Sequence, residues 1–535
     1  MTDRAYKQGA NREQSSFLPA RIEDYVGADN PVRAIEAYVR ALDLSALGFR
    51  HAARCGGAGQ PPFDPADLLK LYLYGYLNQV RSSRRLEREA GRNVELIWLL
   101  RGLVPGYRTI AEFRKENRSA LKAANRDFVL LARELDLLGG NLVAIDGAFF
   151  HGDASKASIT TRQRLAEQLA NLERSIETYA RALDANDVEE ATQSDGDAVR
   201  AGDVAEKLAA LLARRARAQA DLAQLEASGQ TQLSRTDADA RLLTKSGQVV
   251  AGYNVQVAVD DKHKLIVASE VVNDGNDTGQ LHVVAAAAKA ALGAETLTAL
   301  ADAGYYNGET LRACEADGIT AYVPLTERGR RPSAQGRIGR AAFPYDAVGD
   351  VYRCPQGALL RRMNGGKLDA TGKWHFRYAT RRSDCRACPL RGGCLTRKSH
   401  RRTVERWEHE DVIERHRTRM QDGATLMRRR AALAEHPFGT LKCRAGYRHF
   451  LLRGFDKVRG EWSLMALCYN FTRVLNILGL DRFRAYLARR AALSLLSLVR
   501  ANEAATCRLV RVFAAIWTAI TPKPPIRRPC PQPVL

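Results

Sequence analysis

The change of hydrophobic period near residue 140 constrains the fold of this chain more than any other feature. Residues 141–150, NLVAIDGAFF, form an apolar run of strand length without helix-capping signals. The segments VVAGYNVQVAVD and LIVASEVV, joined by the polar stretch DDKHK, predict a two-stranded hairpin. Helix-like and strand-like segments then alternate from TGQLHVVAAAAKAALG to ITAYVP. This order predicts an α/β fold in which a mixed sheet is flanked by helices.

Two insertions interrupt the predicted sheet domain, which we place at residues 140–482. The first, residues 156–230, has apolar residues at coiled-coil spacing on both sides of an acidic, glycine-containing break. We expect an antiparallel helical hairpin there, and a dimerising arm is the alternative. The second, residues 326–410, is basic and contains cysteines. Residues 327–406 alone hold 20 Lys and Arg against 6 Asp and Glu, a difference of +14.

The first 139 residues predict an all-helical domain, because Asp64 followed by Pro65 is a helix-start signal that recurs in similar form along this region. Several short helices rich in arginine indicate a helix-turn-helix DNA reader. The alternative is that the arginines form the solvated face of a helical bundle. The predicted DNA contacts are Arg84, Arg85 and Arg114. Residues 483–535 are predicted to form a basic, proline-containing tail.

Positive charge predominates over the whole chain, in which 82 Lys and Arg outnumber 60 Asp and Glu and give a net charge of +22. Such an excess favours a polyanionic partner, and double-stranded DNA is the partner we predict. The longest late apolar stretch, near residues 509–520, is interrupted by Arg511 and is too short to span a bilayer. We therefore expect a soluble, cytoplasmic protein without a membrane partner.

Two aspartates lie at the ends of predicted strands. Asp146 follows the apolar run of residues 141–145, and Asp302 follows the run in TLTALADAG. Open α/β sheets bind ligands at the carboxyl ends of their strands. Two carboxylates that meet there can share a divalent cation, because hard cations prefer anionic oxygen ligands. Asp153 and Asp260 are rival ligands, but both fall in predicted turns, where Asp is common for local reasons.

A third carboxylate, Glu435, lies on a predicted helix rich in Ala, Leu and Arg. Arg428, Glu435 and Lys442 are seven residues apart, so they would share one face of a continuous helix. Pro437 interrupts this segment and removes one backbone hydrogen bond. The alternative interpretation of Glu435 is an ordinary surface glutamate.

Four segments, in order, resemble the core of bacterial insertion-sequence transposases of the DDE type: VAIDG, GYNVQVAVD, ADAGYYNGE and EHPFGTLK. A glutamate followed by six residues and a lysine matches the signature of the insertion-sequence-four superfamily. The N-terminal segments, among them PPFDPADLLKLYLYGYLNQV and TIAEFRKENR, are similar to the branch named after insertion sequence eleven eighty-two. The superfamily's tyrosine and arginine before the glutamate would fall at Arg428 and Ala431, so Arg428 or Arg430 would replace that arginine.

The resemblance implies that the mixed sheet is RNase H-like and that the protein is a DNA transposase. It makes Asp146, Asp302 and Glu435 the catalytic triad, which would hold two Mg²⁺ or Mn²⁺ ions about 3.5–4 Å apart for both cleavage and strand transfer. Lys442, with Arg428 and Arg430, would contact DNA near the cleavage site. The implied partners are terminal inverted repeats, target DNA and a second copy of the chain, and the implied location is the bacterial nucleoid.

The second insertion contains two further patterns. Its four cysteines suit a structural zinc ion because two of them form a C-x-x-C pair, although five residues separate the last two. They are Cys354, Cys385, Cys388 and Cys394. Aromatic residues from Trp374 to Tyr378 alternate with basic ones, which favours either stacking on nucleic acid or the core of a small sheet.

Two other functions remain alternatives at this point. One is a catalytically silent DNA-binding regulator derived from a transposase. The other is a metal-dependent nuclease that cleaves DNA without strand transfer.

Overall fold

The computed structural model describes residues 21–52, 62–190, 198–245, 247–325, 338–369 and 372–492. The chain divides into two compact units, Met1–Ala120 with Val474–Leu535, and Leu121–Arg473. The division after residue 120 differs from the predicted boundary after residue 139. From residue 493 onward, the predicted tail lies outside the described residues.

The N-terminal unit contains helices and no strand among its described residues, as predicted. Asp64 caps the second helix by accepting a hydrogen bond from the Ala66 amide at 2.8 Å, and the rings of Tyr72 and Phe113 stack in the core with centroids 6.0 Å apart. The helices are α1 (Val32–Arg40), α2 (Pro65–Leu77), α3 (Ser83–Ala90), α4 (Val94–Leu99), α5 (Tyr107–Glu116) and α6 (Arg118–Glu134), the last of which continues into the second unit.

The second unit contains the mixed sheet and the first insertion. Its elements up to residue 322 are β1 (Leu142–His151), β2 (Ile159–Thr161), α7 (Arg162–Glu190), α8 (Ala198–Ser228), β3 (Gln232–Ser234), β4 (Arg241–Lys245), β5 (Gln248–Asp260), β6 (Ile266–Val272), α9 (Gln280–Leu292), β7 (Leu297–Leu300), α10 (Gly308–Ala316) and β8 (Ile319–Tyr322). The strand order is β4-β5-β1-β7-β8, and β6 also pairs with β5.

The pairing directions confirm a mixed sheet. β5 runs antiparallel to β1 from Val143↔Asp260 to His151↔Gly252 and antiparallel to β6, which forms the predicted hairpin. β7 and β8 run parallel to β1 and to each other. The carboxyl ends of β1, β7 and β8 therefore point in the same direction, as the ligand-site prediction required.

The first insertion is a helical hairpin, as predicted. α7 and α8 pack on each other through a cluster of buried residues made of Leu165, Leu172, Ala218, Leu225 and Leu233. The short strands β2 and β3 pair antiparallel at the base of the hairpin. The coiled-coil spacing seen in the sequence is thus satisfied within one chain.

The second insertion contains an antiparallel sheet with the strand order β13-β12-β11-β10-β9. Its core includes Phe343, Tyr352, Leu360, Tyr378 and Val404, whereas the side chain of Trp374 is exposed. Of the aromatic pattern, Tyr378 therefore belongs to the core of the small sheet. The elements are β9 (Tyr345–Asp346), β10 (Val351–Arg353), β11 (Leu359–Leu368), β12 (Trp374–Ala379), α11 (Arg382–Arg386), α12 (Arg391–Cys394) and β13 (Thr403–Trp407).

Four helices complete the described chain: α13 (Glu410–Asp422), α14 (Ala424–Gly439), α15 (Phe455–Leu478) and α16 (Leu480–Ala492). No single helix in the described ranges is long and apolar enough to cross a membrane; the bent pair α15 and α16 reaches that length and composition only when both are taken together.

Candidate active site

Asp146 lies on β1, and Asp302 closely follows the neighbouring parallel strand β7. The register of β1 with β7 runs from Leu142↔Thr298 to Ala144↔Leu300, and two further residues along each chain bring Asp146 level with Asp302. Both side chains are half-buried. The Asp302 carboxylate accepts a hydrogen bond from the Gly304 amide at 2.8 Å, which fixes the turn after β7.

The two aspartates differ in their position on the strand. Asp302 follows the end of β7, as predicted, whereas Asp146 lies inside β1, which continues to His151 because β5 pairs with it over its whole length. The prediction that Asp146 ends its strand is therefore wrong. The neighbouring strand β7 ends at Leu300, which pairs with Ala144. No residue of β7 therefore pairs with Asp146, and this side of Asp146 faces the loop that carries Asp302.

Helix α14 covers the face of the sheet on which Asp146 lies. Leu433 and Ala434 of α14 are buried in one cluster with Leu142, Ala144 and Leu300. Because strand residues two positions apart share a face, Asp146 follows Ala144 on the side of α14. Glu435 follows Ala434, and its side chain is exposed. All three predicted carboxylates thus lie within two residues of one hydrophobic cluster.

The donors near this cluster suit a hard divalent cation, because carboxylate oxygens are its preferred ligands. Asp146 and Asp302 supply two such groups at adjacent strand positions. Among the described residues, however, no three Asp, Glu, His or Cys side chains are already arranged to hold a metal ion. Asp146, Asp302 and Glu435 therefore do not form a three-carboxylate group in this arrangement.

Lys442 is held against β1. Its ammonium group donates a hydrogen bond to the Phe149 carbonyl at 2.7 Å and lies 4.4 Å from the centre of the Phe150 ring. Helix α14 continues through Pro437, but the following turn, Thr440–Arg444, is a π-helix. The expectation that Arg428, Glu435 and Lys442 share one face of a regular helix fails beyond α14, because a π turn contains more residues than an α turn.

Arg430 is the arginine of α14 that faces the aspartates. Its Nη1 atom is 4.0 Å from Oδ2 of Asp146 and has no hydrogen-bond partner. Arg429 instead pairs with Asp261 at 2.7 Å, and Arg428 is exposed. The sequence left Arg428 and Arg430 as alternatives for the superfamily's arginine, and the structure brings Arg430 to the site.

A further carboxylate that the sequence analysis missed, Asp277, lies close to this site. Burial raises the pKa of the Tyr305 hydroxyl far above its usual range, the carboxylates of Asp277, Asp146 and Asp302 raise it further, and Arg430 opposes them. Asp277 is therefore one of three carboxylates that surround the Tyr305 hydroxyl. Asp277 stands in the polar stretch NDGNDTG, where an aspartate indicates only a turn.

The rival ligands have other partners. Asp260 accepts hydrogen bonds from the amides of Gly139, Gly140 and Lys262, and burial raises the pKa of its carboxyl group. Asp153 forms an ion pair with Arg453 at 2.8 Å. Asp260 is the last residue of β5, and of these contacts only the one from Lys262 is local; the others join both carboxylates to residues distant in the chain.

Two family models match the chain. Residues 20–116 match a model described as Transposase domain (DUF772), and residues 353–475 match a model described as Transposase DDE domain. Together the two matches indicate an insertion-sequence DDE transposase. The second match contains Glu435 and Lys442 but begins after Asp146 and Asp302, so it does not assign the two aspartates.

Comparison with known proteins adds little about the mechanism of the transposase. A solved structure titled "Cryo-EM structure of piggyBac transposase synaptic complex with hairpin DNA" matches with a TM-score of 0.30 and 7% sequence identity, over 86% of this chain and 79% of that chain. No curated protein matches the sequence.

The three arginines predicted to contact DNA from the N-terminal unit of the transposase differ in exposure. Arg84 and Arg85 of α3 are exposed, and the Arg84 guanidinium lies 5.3 Å from the Tyr107 ring. Arg114 of α5 is only 7% exposed, and its guanidinium lies over the Tyr72 ring and bonds to the Tyr76 hydroxyl. The prediction that Arg114 contacts DNA is wrong in this structure, because this side chain is part of the core.

The four cysteines of the transposase's second insertion form no disulfide. Burial raises the pKa of the Cys394 thiol, the other three cysteines raise it further, and the Arg402 cation opposes them. The Cys385 thiol is buried and lies 3.1 Å from the Thr380 hydroxyl. Zinc requires deprotonated ligands, and these four are not among any metal-binding group in the described ranges. The structure therefore does not support the predicted zinc site.

Proposed function

We propose that this transposase binds the ends of an insertion sequence and catalyses metal-dependent cleavage and strand transfer, with Asp146, Asp302 and Glu435 as its catalytic carboxylates. The observation that carries this proposal is the level placement of the two aspartates on adjacent parallel strands, under a helix that carries the glutamate. Glu435 would join the aspartates when DNA and cations bind, since its side chain is exposed and is not yet in a metal-binding group.

The two aspartates would hold the cations, and Glu435 would complete their ligands. A bound pair of divalent ions supplies activation of the attacking water or 3′-hydroxyl and stabilises the leaving oxygen. Arg430 would bind an oxygen of the reacting phosphate, because its Nη1 atom points toward Asp146 and lacks a hydrogen-bond partner. Lys442 would contact DNA only after its ammonium group leaves the Phe149 carbonyl.

The remaining DNA contacts would come from exposed basic surfaces. In the N-terminal unit these are Arg84 and Arg85 of α3. In the second insertion they lie on β11 and β12 of the five-stranded sheet, where Trp374 is also exposed. The exposed basic residues of these two strands are Arg361, Arg362, Lys367 and Arg377.

The function is tested with supercoiled plasmid, a linear fragment that carries the element's two ends, and Mg²⁺ or Mn²⁺. The expected products are cleaved ends and fragments joined to the plasmid. Binding without cleavage would instead identify a silent regulator, and cleavage without joined products would identify a nuclease. Crosslinking with and without the paired ends tests whether two copies of the chain assemble in the DNA complex, as the family resemblance implies.

Replacing Arg84 and Arg85 together by Ala should weaken binding to end DNA and leave the stability of the N-terminal unit unchanged. If each arginine neutralises one phosphate, the slope of log K against log salt should become shallower by about two. Arg114→Ala should instead lower the free energy of unfolding by about 1–3 kcal/mol, because it removes a buried group that contacts two tyrosines. Salt-dependent binding isotherms and denaturant unfolding measure the two effects. An unchanged salt slope in the double variant would exclude α3 from the DNA interface.

A further inference from the structure

A buried polar network lies beneath the two aspartates, on the face of β1 opposite α14. It is centred on Gln256 of β5, which is fully buried and pairs with Gly147 across the β1–β5 ladder. The Gln256 side-chain amide donates to Oδ1 of Asp277 at 2.6 Å, and Asn254 donates to the same oxygen at 2.8 Å. The Tyr305 hydroxyl donates to Oε1 of Gln256. A chain of hydrogen bonds thus links the loop before α9 to the loop after β7.

The network passes under β1 because residue 147 has no side chain. A Cβ atom at Gly147 would lie 2.3 Å from Nε2 of Gln256 and 2.8 Å from Oδ1 of Asp277. Since β1 stands between β5 and β7 in the sheet, Tyr305 reaches Gln256 only through this space. Glycine directly after Asp146 therefore makes room for a side chain that comes from the loop of Asp302.

The carboxylates of Asp302 and Asp277 both lie close to Gly304 in the loop of Asp302. A Cβ atom added at Gly304 would lie 3.0 Å from Oδ1 of Asp302 and 3.8 Å from Oδ2 of Asp277. Beyond β7 the backbone of this loop is held to the sheet by the Ala301 amide, which donates to the Tyr322 carbonyl at 3.0 Å. The buried Tyr305 side chain adds a second attachment, on the far side of Asp302.

The chain of hydrogen bonds has one direction. Gln256 turns its NH₂ group, which can only donate, toward Oδ1 of Asp277. Its carbonyl oxygen then faces Tyr305, whose hydroxyl is the donor. Each group is satisfied by the next one, and such buried networks favour one defined arrangement over others.

We infer that Tyr305, Gln256 and Asp277 are positioning residues that hold Asp302 level with Asp146 for binding of the divalent cation. This inference rests on the proposed function, because it requires that the two aspartates are ligands. These three residues are not proposed as ligands themselves. They fix the loop that carries the ligand Asp302. Outer partners of metal ligands commonly change metal affinity about 10–100-fold when they are removed.

The test is Mn²⁺ binding to the full chain without DNA, measured by titration calorimetry. Tyr305→Phe should raise the Kd for Mn²⁺ about tenfold or more, because it removes the hydroxyl that anchors the loop. The matched control is Tyr253→Phe. Tyr253 is equally buried, lies on β5 and donates to the Asp237 carboxylate at 2.8 Å, but it does not touch the loop of Asp302. This control should lower the melting temperature to a similar extent and leave the Kd unchanged.

Two further measurements separate the possible outcomes. Hydrogen exchange of the amides at residues 301–306 should become faster in Tyr305→Phe and stay the same in Tyr253→Phe. If Tyr305→Phe does not fold, Gln256→Met removes the acceptor of the same hydrogen bond at similar side-chain size, and it carries the same expectation. Equal Kd values for the wild type and the Tyr305 variant, or equal weakening in both Phe variants, would overturn the inference.

Asp302→Asn distinguishes this inference from the proposed function. If the wild type binds Mn²⁺ and the Asp302 variant binds equally well, Asp302 is no ligand and the proposed function fails. If the Asp302 variant loses binding while Tyr305→Phe retains it, only the positioning role fails. Loss of affinity in both, with the Tyr253 control intact, supports both.

Discussion

Asp302→Asn should reduce DNA cleavage and strand transfer by at least about a thousandfold if the proposed function holds, because it would remove a carboxylate ligand of the cations that activate the attacking oxygen and stabilise the leaving oxygen. The substitution keeps the size of the side chain and its ability to accept a hydrogen bond from the Gly304 amide. The fold of the loop should therefore survive. Binding of end DNA should remain within about twofold of the wild type, since the phosphate contacts come from arginine and lysine.

The measurement is the rate of plasmid nicking and of joined-product formation under single-turnover conditions, with end binding followed separately. Asp317→Asn is the control, because it makes the same charge change on an exposed aspartate. Asp317 follows α10, and its carboxylate bonds to His282. This control should retain the wild-type rate. Cleavage retained in the Asp302 variant would remove Asp302 from the catalytic residues. Simultaneous loss of end binding would mean that the carboxylate acts in DNA recognition rather than in the chemical step.

The sheet and its order of elements were predictable from the sequence because each strand carries its own local signal. β5 and β6 are long apolar runs on either side of a polar turn, and α9 is bounded by glycine on both sides. β4 was missed because RLLTK is short and follows a polar stretch. β4 pairs with the first half of β5, so its formation as a strand depends on this partner rather than on its own composition.

The aspartates were found because each follows an apolar run, but their exact setting depends on neighbours. β1 continues past Asp146 because β5 pairs with it as far as His151, whereas β7 has no such partner beyond Leu300. Sequence periodicity describes one strand at a time. It therefore places a strand end where the apolar run ends, although the hydrogen-bonded ladder continues.

Arg114 shows why the exposure of a charged helical residue is difficult to predict. It lies in an arginine-rich segment together with exposed Arg108 and Lys115, and charge alone assigns all three to a DNA-binding face. Its guanidinium is instead buried, because Tyr72 offers an aromatic face and Tyr76 a hydroxyl group. Both tyrosines belong to α2, and Tyr76 lies 38 residues before Arg114 in the chain. No local sequence pattern connects Arg114 with these tyrosines.

Asp277 illustrates a second limit. Its role depends on Gln256 and Tyr305, which lie on separate strands and loops and come together only after the sheet forms. The motif ADAGYYNGE contains Tyr305, and GYNVQVAVD contains both Asn254 and Gln256. The residues were therefore in the quoted motifs, but their side-chain contacts were not accessible from spacing.

Gly252→Ala should lower the free energy of unfolding of the sheet unit by about 3 kcal/mol or more, the second large effect that we expect. Gly252 pairs with His151 at the end of the β1–β5 ladder. A Cβ atom there would lie 2.0 Å from the Phe150 carbonyl oxygen and 2.5 Å from the Gly152 amide nitrogen. Both are backbone atoms, one in β1 and one directly after its end, so no side-chain rotation relieves the overlap and the two segments must separate.

The separation would reach the core of the unit because Phe150 packs between helices and strands. Its ring is 5.5 Å from the Trp462 ring and 5.6 Å from the Phe450 ring, and it also lies beneath the Lys442 ammonium group. Displacing β1 at this end therefore disturbs aromatic packing as well as the ladder. We expect the position of Asp146 to be affected only indirectly, since it lies five residues before His151 on the same strand.

Denaturant unfolding of the full chain measures the effect, and Gly279→Ala is the matched control. A Cβ atom at Gly279 meets no other atom within 4 Å, so this variant should change the free energy of unfolding by less than about 1 kcal/mol. Asp302→Asn should likewise leave the unfolding midpoint nearly unchanged while it abolishes cleavage. Asp302→Asn thus reports loss of the chemical step, and Gly252→Ala reports loss of the fold. A Gly252 variant as stable as its control would mean that β1 and β5 do not approach as closely as this ladder requires.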